Sequence, residues 1–134
     1  DQQKELSSKI KELTDGAGAN VVYDPVGDTY SEPCIRATAW DGRYLVIGFA
    51  AGQIPKIPTN LALLKGMKII GVFWGAWVGM FPDENKKNFK KLFQLHSDGK
   101  INPEVSDCFS LDNGAKAIAH LKDRKAKGKV IIKI

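Results

Sequence analysis

Three short apolar runs, each ending in glycine or beside one, constrain the fold of this chain more than any other feature. They cover residues 20–27, 43–48 and 68–75. Strands that are apolar almost throughout are typical of a parallel sheet that is buried on both faces. The segments between them are long enough for helical crossovers. The sequence therefore predicts an α/β fold in which the three runs are adjacent parallel strands.

The small residues at the ends of these runs predict a ligand crevice. Open α/β sheets bind ligands beyond the carboxyl ends of their strands. A glycine at such a position lets a flat ligand approach the backbone closely. The pyrophosphate-binding turn that usually opens such a sheet is missing, because the sequence has no G-x-G-x-x-G and no Walker-type loop. Gly16-Ala17-Gly18 stands between a predicted helix and the next strand, which is the wrong order for that turn.

Local signals place the other elements of the first half. Residues 3–15 carry apolar side chains at helical spacing, and Gly16 supplies a stop. A second helix is predicted over residues 29–39, followed by a turn at Trp40-Asp41-Gly42. Residues 50–58 are interpreted as a loop, and residues 60–64 as a short helix that ends at Gly66.

The second half has a different pattern. Pro82 and the acidic residues after it indicate the start of a helix that ends at Gly99. Residues 105–111 alternate as a short strand does. Asp112 is a candidate cap for a last helix, which Gly128 would stop. The chain closes on a terminal strand at residues 130–132.

Composition narrows the class of protein without fixing its function. The chain has 134 residues, a net charge of +5 and no apolar run long enough to span a membrane. Its lysine clusters fit either a solvated helix face or a surface for an anionic ligand. Cys34 and Cys108 are too few for a disulfide framework and predict free thiols in a reducing compartment. The chain begins at Asp1 without a signal-peptide pattern or an initiating Met, which predicts a processed chain or an excised fragment.

Few side chains suggest catalysis on their own. His96 and His120 have no partners at metal-ligand spacing and are interpreted as helix-face residues. Asp24 ends a strand, where it could act as a general base or order its own turn. The three tryptophans are expected in the core or at an interface. No Ser-His-Asp spacing is recognisable.

Five pieces, in order along the chain, resemble the C-terminal part of the medium-chain dehydrogenase/reductases. The resemblance is strongest to the zinc-independent quinone oxidoreductases of the zeta-crystallin group. The pieces are residues 15–27, residues 40–43 with 48–50 behind them, residues 70–75, Gly99-Lys100-Ile101 with Pro103, and residues 128–131.

The resemblance implies a fold and a division of the chain. Residues 1–80 would be the second half of a Rossmann-type doubly wound parallel sheet, a partial dinucleotide-binding domain. Residues 81–134 would be the family's C-terminal helix-strand segment, which packs back on a catalytic domain outside this chain. The whole protein would transfer hydride from NADPH to a quinone or activated enone, and this chain alone would be inactive. The catalytic residues, the substrate and the choice between NADP and NAD lie outside these residues.

The resemblance also implies cofactor contacts. Turns after three successive strands would lie against the nicotinamide, and a lysine before the last strand would reach a cofactor phosphate. The alternative for the glycines is that they only permit tight turns, and for the lysine that it is solvated. The implied residues are Pro25, Val26, Gly27, Gly48, Phe49, Ala50, Phe73, Trp74, Gly75 and Lys129.

Two rival functions remain open on the residues alone. The half-sheet could be a binding or scaffold module without chemistry, or a basic nucleic-acid binder with steep salt dependence. The preferred interpretation has a small-molecule substrate, no nucleic acid, no membrane contact and a cytoplasmic location. It also predicts at least a homodimer, because residues 68–73 form an apolar strand whose edge must be covered.

Overall fold

The computed structural model describes the backbone of residues 2–134 and the side chains of residues 5–134. The prediction about the start of the chain at Asp1 lies outside the described residues. The chain divides into two compact units, with the boundary between Met80 and Phe81. The helices and strands of the first unit are α1 (Gln2–Glu12), β1 (Ala19–Asp24), α2 (Ser31–Ala37), β2 (Thr38–Val46), α3 (Asn60–Lys65), β3 (Lys68–Gly71) and α4 (Trp74–Met80).

The three apolar runs form one parallel sheet, as predicted. The strand order is β1-β2-β3, and both pairings are parallel. Tyr23 lies beside Leu45 and Leu45 beside Ile70, so the strands end at nearly the same level. The predicted α/β class with adjacent parallel strands is therefore confirmed.

The structure corrects the predicted elements on either side of β2 and within it. The helix predicted over residues 29–39 begins as a 3₁₀ turn at Asp28–Tyr30 and ends at Ala37. The predicted turn at residues 40–42 lies inside β2 as a bulge, since β1 advances two residues between its paired positions while β2 advances five. Asp41 adopts a φ of 55°, and its carboxylate accepts a hydrogen bond from Lys68 on β3. A bulge of this kind keeps the strand paired on both sides, which a turn signal cannot reveal.

The third strand is shorter than the apolar run, residues 68–75, that predicted it. β3 ends at Gly71, and Val72 donates one more hydrogen bond to the carbonyl of Val46 at 2.9 Å. β2 itself ends at Val46, so no strand remains to pair with the chain beyond Val72. Trp74 and Gly75, predicted at the end of a strand, instead begin α4.

The core of the first unit lies between the sheet and two helices. Ile35 of α2, Tyr44 of β2, Leu61 of α3 and Met67 are buried and form one cluster. Trp40 and Trp74 lie outside this core, because they are 75% and 57% exposed, and a place at an interface stays a prediction for them.

A single carboxylate joins three elements around this core. Oδ1 of Asp24, at the end of β1, accepts hydrogen bonds from the backbone N–H groups of Val26 and Gly27, both at 2.8 Å. Oδ2 accepts from the hydroxyl of Ser31 at 3.0 Å and from the hydroxyl of Tyr44. Burial raises the pKa of Asp24, but the hydrogen bonds from Tyr44, Gly27, Val26 and Ser31 outweigh it and lower that pKa below its usual range. Burial and the Asp24 carboxylate raise the pKa of Tyr44.

The second unit is a small β-α-β arrangement preceded by a long helix. Its elements are α5 (Pro82–Ser97), β4 (Val105–Ser110), α6 (Gly114–Lys122) and β5 (Lys129–Lys133). β4 and β5 pair in parallel, so the predicted terminal strand has a partner within its own unit. Asp112 lies in a 3₁₀ turn at Leu111–Asn113, and the predicted cap is wrong because Asn113 precedes α6 and no side chain caps that helix.

Both histidines make contacts that helical spacing did not predict. Nε2 of His120 lies 3.1 Å from Oδ2 of Asp107, and its ring centroid lies 5.8 Å from that of Phe109. The hydroxyl of Ser106 donates to the same carboxylate oxygen and, together with His120, lowers the pKa of Asp107. Nδ1 of His96 lies 3.1 Å from the carbonyl oxygen of Ile101. His120 thus joins α6 to β4 and is more than a helix-face residue.

We predict that Asp24→Asn destabilises the chain by about 1.5–3 kcal/mol, the usual contribution of hydrogen bonds to a charged group. The loss should depend on pH. Folding lowers the pKa of Asp24 below the value near 3.8 that it has in the unfolded chain. The ionised carboxylate therefore stabilises the native state fully when the pH is above this unfolded-state pKa. The stabilisation is lost as the pH falls through the lower pKa of the folded state. Urea unfolding of the wild type, of Asp24→Asn and of the exposed control Asp112→Asn at pH 7 and at low pH measures both effects. Equal stability of Asp24→Asn and Asp112→Asn at pH 7 would contradict the prediction.

We predict that Gly128→Ala loosens the second unit. A Cβ at Gly128 would lie 2.5 Å from the carbonyl oxygen of Glu104, which accepts a hydrogen bond from the backbone N–H of Lys129 at 2.7 Å. The clash should cost about 1–3 kcal/mol, as overpacking against a fixed backbone does. Hydrogen exchange of the β5 amides should therefore accelerate. Gly79→Ala is the control, since nothing lies within 4 Å of a Cβ there; if both variants leave β5 exchange unchanged, the close approach at Gly128 carries no strain.

Candidate functional site

Hydrogen bonds between the turns after β1 and β2 hold two of the predicted cofactor segments together. The backbone N–H of Ala50 donates to the carbonyl of Pro25 at 3.0 Å, and that of Ala51 donates to Val26 at 3.0 Å. A third bond, from Asp28 to Gln53 at 3.2 Å, extends this pairing. The structure thus brings residues 25–27 and residues 48–50 side by side at the carboxyl ends of their strands.

Gly27 is a structural requirement of this arrangement. Its φ of 71° and ψ of −148° belong to a region that residues with a side chain rarely adopt. A Cβ there would lie 2.7 Å from Cδ1 of Phe49 and 3.4 Å from the carbonyl oxygen of Gly48. The missing side chain therefore lets the Phe49 ring pack directly on the turn after β1.

A groove of about 400 Å³ opens between the ends of β2 and β3. Its floor includes two glycines with free space above them: a Cβ at Gly48 would meet only the carbonyl oxygen of Pro25, at 3.5 Å, and a Cβ at Gly71 would meet nothing within 4 Å. Two aromatic rings border it, Phe49, which is 38% exposed, and Phe73, which is 79% exposed. The lining residues are Val46, Ile47, Gly48, Phe49, Gly71, Val72 and Phe73.

The remaining predicted residues fall in two places. Trp74 and Gly75 begin α4 next to the groove, where a Cβ on Gly75 would lie 3.7 Å from Cε2 of Phe73. Lys129 begins β5 in the second unit, and its side chain is exposed. Within that unit, the backbone N–H of Lys129 donates to the carbonyl of Glu104 at 2.7 Å.

Sequence reasoning missed four of the seven residues that line the groove. Val46, Ile47, Gly71 and Val72 line it, although only the residues next to them were predicted. The signal was present, since each is the last residue of a strand or directly follows it. Ser31 and Tyr44, which hold the turn through Asp24, had no such signal, because they lie 7 and 20 residues away from it.

The groove has no group of its own for acid-base chemistry. None of its seven lining residues carries an ionisable side chain. Of the two roles considered for Asp24, ordering its own turn agrees with the geometry, because four donors occupy the carboxylate and its pKa is lowered. The side chains of the groove lining therefore cannot donate or accept a proton themselves.

Among the described side chains, residues 5–134, no group of three or more His, Cys, Asp and Glu is arranged to hold a metal ion. No helix in this part of the chain is long and apolar enough to cross a membrane.

Known proteins similar to this chain are oxidoreductases. The sequence model of a family described as zinc-binding dehydrogenase matches residues 1–132. A quinone oxidoreductase-like protein 2 homolog from Nematostella vectensis is 37% identical over 131 residues, which cover 97% of this chain and 36% of that protein. The rat quinone oxidoreductase-like protein 2 is 33% identical over 132 residues, which cover 98% and 38%. The chain thus spans little more than a third of the length of these relatives.

Solved structures agree with this fold. A probable oxidoreductase from Mycobacterium abscessus superposes with a TM-score of 0.79 at 27% identity, covering 96% of this chain and 37% of that one. The mycobacterial protein Rv1454c, solved in complex with NADPH, superposes with a TM-score of 0.81 at 22% identity, covering 98% and 41%. At that identity the second likeness shows the fold alone.

The matched sequence model covers nearly the whole chain, and similar proteins carry the same parallel sheet. None of the described residues offers a cluster for the zinc of the family's description. This chain therefore belongs to the zinc-binding dehydrogenase family, within the quinone oxidoreductase-like medium-chain dehydrogenase/reductases.

Proposed function

We propose that this chain forms one wall of the nicotinamide site in an oxidoreductase that transfers hydride from NADPH to a quinone or an activated enone. The observation that carries the proposal is the glycine-floored groove beyond β2 and β3, at the sheet edge where doubly wound folds bind dinucleotides. Family membership agrees with this chemistry, since similar proteins are named quinone oxidoreductases.

The groove suits a nicotinamide ring in size and surface. A volume of about 400 Å³ exceeds that of one flat heterocycle, and the open space above Gly48 and Gly71 lets a ring lie against the backbone. The turns at residues 25–27 and 48–50 would hold the ring from one side, and the backbone groups of residues 73–75 would meet its carboxamide from the other. In this proposal Lys129 contacts a cofactor phosphate as a point charge.

The cofactor, when bound, supplies the hydride, and this chain orients it and keeps water away. Apolar walls without ionisable groups suit that task, because they exclude water and offer no competing proton donor. Residues that polarise the acceptor would come from the catalytic domain that the family resemblance implies. We therefore propose that the chain alone is inactive and that residues 81–134 pack on that domain.

A reducing, cytoplasmic location fits the two free cysteines, Cys34 and Cys108. NADPH is proposed over NADH from the family resemblance. The rival proposal of a scaffold module without chemistry differs in one measurable respect, since it requires no response of the groove to a nicotinamide nucleotide.

We predict that NADPH shifts the backbone amide NMR signals of Ile47, Phe49 and Phe73 in the isolated chain. 2′-Phospho-ADP-ribose, which lacks the nicotinamide, should leave those signals in place. Gly48→Val should weaken the response about tenfold or more, because forcing methyl groups into a filled site costs about 1–3 kcal/mol. The control is Gly79→Val, at a helix position with nothing within 4 Å of a Cβ.

Three outcomes of this titration would contradict the proposal. If neither nucleotide moves the groove signals, the scaffold module gains support. If both move them equally, the groove does not recognise nicotinamide. If Gly48→Val responds like Gly79→Val, Gly48 is not part of the site.

We also propose that the chain associates at least as a homodimer through the free edge of β3. β3 is the last strand of its sheet, and Ile69 and Ile70 on it are 39% and 37% exposed. An edge strand with apolar side chains tends to pair with another strand. The competing view is that charged residues such as Lys133 on β5 guard the strand edges and keep the chain monomeric.

We predict that sedimentation equilibrium at micromolar concentration gives a mass above that of the 14.7 kDa chain. Ile70→Lys should shift the equilibrium toward monomer, because it places a charge on the edge strand. Ile118→Lys, at a 68% exposed position on α6, is the control and should not change it. A wild-type chain that sediments as a single 14.7 kDa species would refute the association.

A further inference from the structure

The two aromatic rings of the groove differ in how firmly they are held. Phe49 packs on Gly27, where no Cβ would fit, and hydrogen bonds from Ala50 and Ala51 fix the turn that carries it. Phe73 is 79% exposed, although it lines the same groove. A Cβ on Gly75 would lie 3.7 Å from Cε2 of the Phe73 ring, which is an ordinary contact distance. The Phe49 ring is therefore packed against the protein, while the Phe73 ring is exposed to solvent.

The exposed ring lies where a reaction partner of the nicotinamide must approach. If the nicotinamide covers the glycine floor, its remaining face is turned away from Gly48 and Gly71. Hydride transfer needs the reacting atoms about 3–3.5 Å apart, so the acceptor must stack close to that face. Phe73 borders the two glycines and, at 79%, is far more exposed than Phe49 or Val72 in the same groove. It is therefore the residue of this wall best placed to contact the acceptor.

The residues that line the groove limit the kind of acceptor that it can recognise. The groove lining offers no charged side chain and no polar side chain, so it cannot select an acceptor by side-chain hydrogen bonds. A phenyl ring recognises another flat conjugated ring by offset or edge-to-face contact. A small non-aromatic enone offers less flat surface for such contact.

We propose that Phe73 is a specificity-determining residue that contacts the acceptor and favours a planar quinone ring over a small non-aromatic enone. This inference rests on the proposed function, because the floor of the groove must hold the nicotinamide. It narrows the acceptor class that the proposed function leaves open. Phe49 has a different task, since it is packed in place and shapes the pocket for the cofactor.

The test measures binding of two probes by saturation-transfer and chemical-shift NMR, on the 134-residue chain saturated with NADP⁺, which supplies the nicotinamide face without a hydride to transfer. Duroquinone is the quinone and cyclohex-2-enone is the enone. All chains carry Cys108→Ser, because the exposed thiol of Cys108 would otherwise add to the enone. The variants are Phe73→Leu, Phe73→Trp and the control Phe93→Leu, which removes a 66% exposed phenylalanine of α5.

Phe73→Leu should weaken duroquinone binding about 2- to 12-fold, the range expected for loss of one aromatic contact, and enone binding less than about 2-fold. Phe73→Trp should retain duroquinone binding, and Phe93→Leu should not change it. The inference is overturned if the wild type does not bind duroquinone, if Phe73→Leu behaves like Phe93→Leu, if it weakens both probes equally, or if Phe73→Trp loses binding as Phe73→Leu does. The NADPH titration separates the two claims. A groove that binds NADPH while Phe73→Leu leaves duroquinone binding unchanged overturns this inference alone. A groove that ignores NADPH refutes the proposed function and, with it, the acceptor role of Phe73.

Discussion

The buried carboxylate of Asp24 is the interaction on which the candidate site depends. Its two oxygens accept four hydrogen bonds, from the turn after β1, from the first residue of α2 and from a core tyrosine of β2. A buried charge is tolerated only when donors surround it, and here the donors come from the elements that must be aligned. The turn that Asp24 holds carries Gly27, and Gly27 in turn gives Phe49 its place. The geometry of the crevice thus follows from one ionised group at the end of the first strand.

The residues that line the groove define its shape and carry no ionisable side chain. The carboxylate of Asp24 already accepts hydrogen bonds from the backbone of the turn after β1 and from the hydroxyl groups of Ser31 and Tyr44. The groove beyond it is lined by apolar and glycine residues. Such a wall is suited to position a cofactor that carries its own reactivity, because apolar surroundings exclude water. Under the proposed function, the polar groups that activate an acceptor would come from outside this groove.

The sequence predicted what local patterns determine. Continuous apolar runs identified the parallel sheet, Pro82 marked the start of α5, and Gly66, with a φ of 55°, ends α3 as its position suggested. Pairing over longer distances was not predictable from these patterns. The bulge at Asp41 depends on the register of β2 against β1, and β5 finds its partner in β4 across the intervening helix. The Asp24–Tyr44 contact likewise joins residues on different strands, which no residue spacing reports.

The glycines of the crevice show why residue type alone leaves a site undecided. Gly27 and Gly48 were predicted together as cofactor contacts, and each was open to the alternative that it only permits a turn. Their surroundings separate them: at Gly27 both the backbone angles and the Phe49 ring exclude a side chain, whereas at Gly48 a Cβ would meet one atom at ordinary contact distance. Local packing therefore does not require a glycine at position 48, which follows the end of a strand and lines an open groove. Gly71 meets the same condition without having been predicted. The space above these two residues is therefore the strongest structural reason to expect a flat ligand at this edge of the sheet.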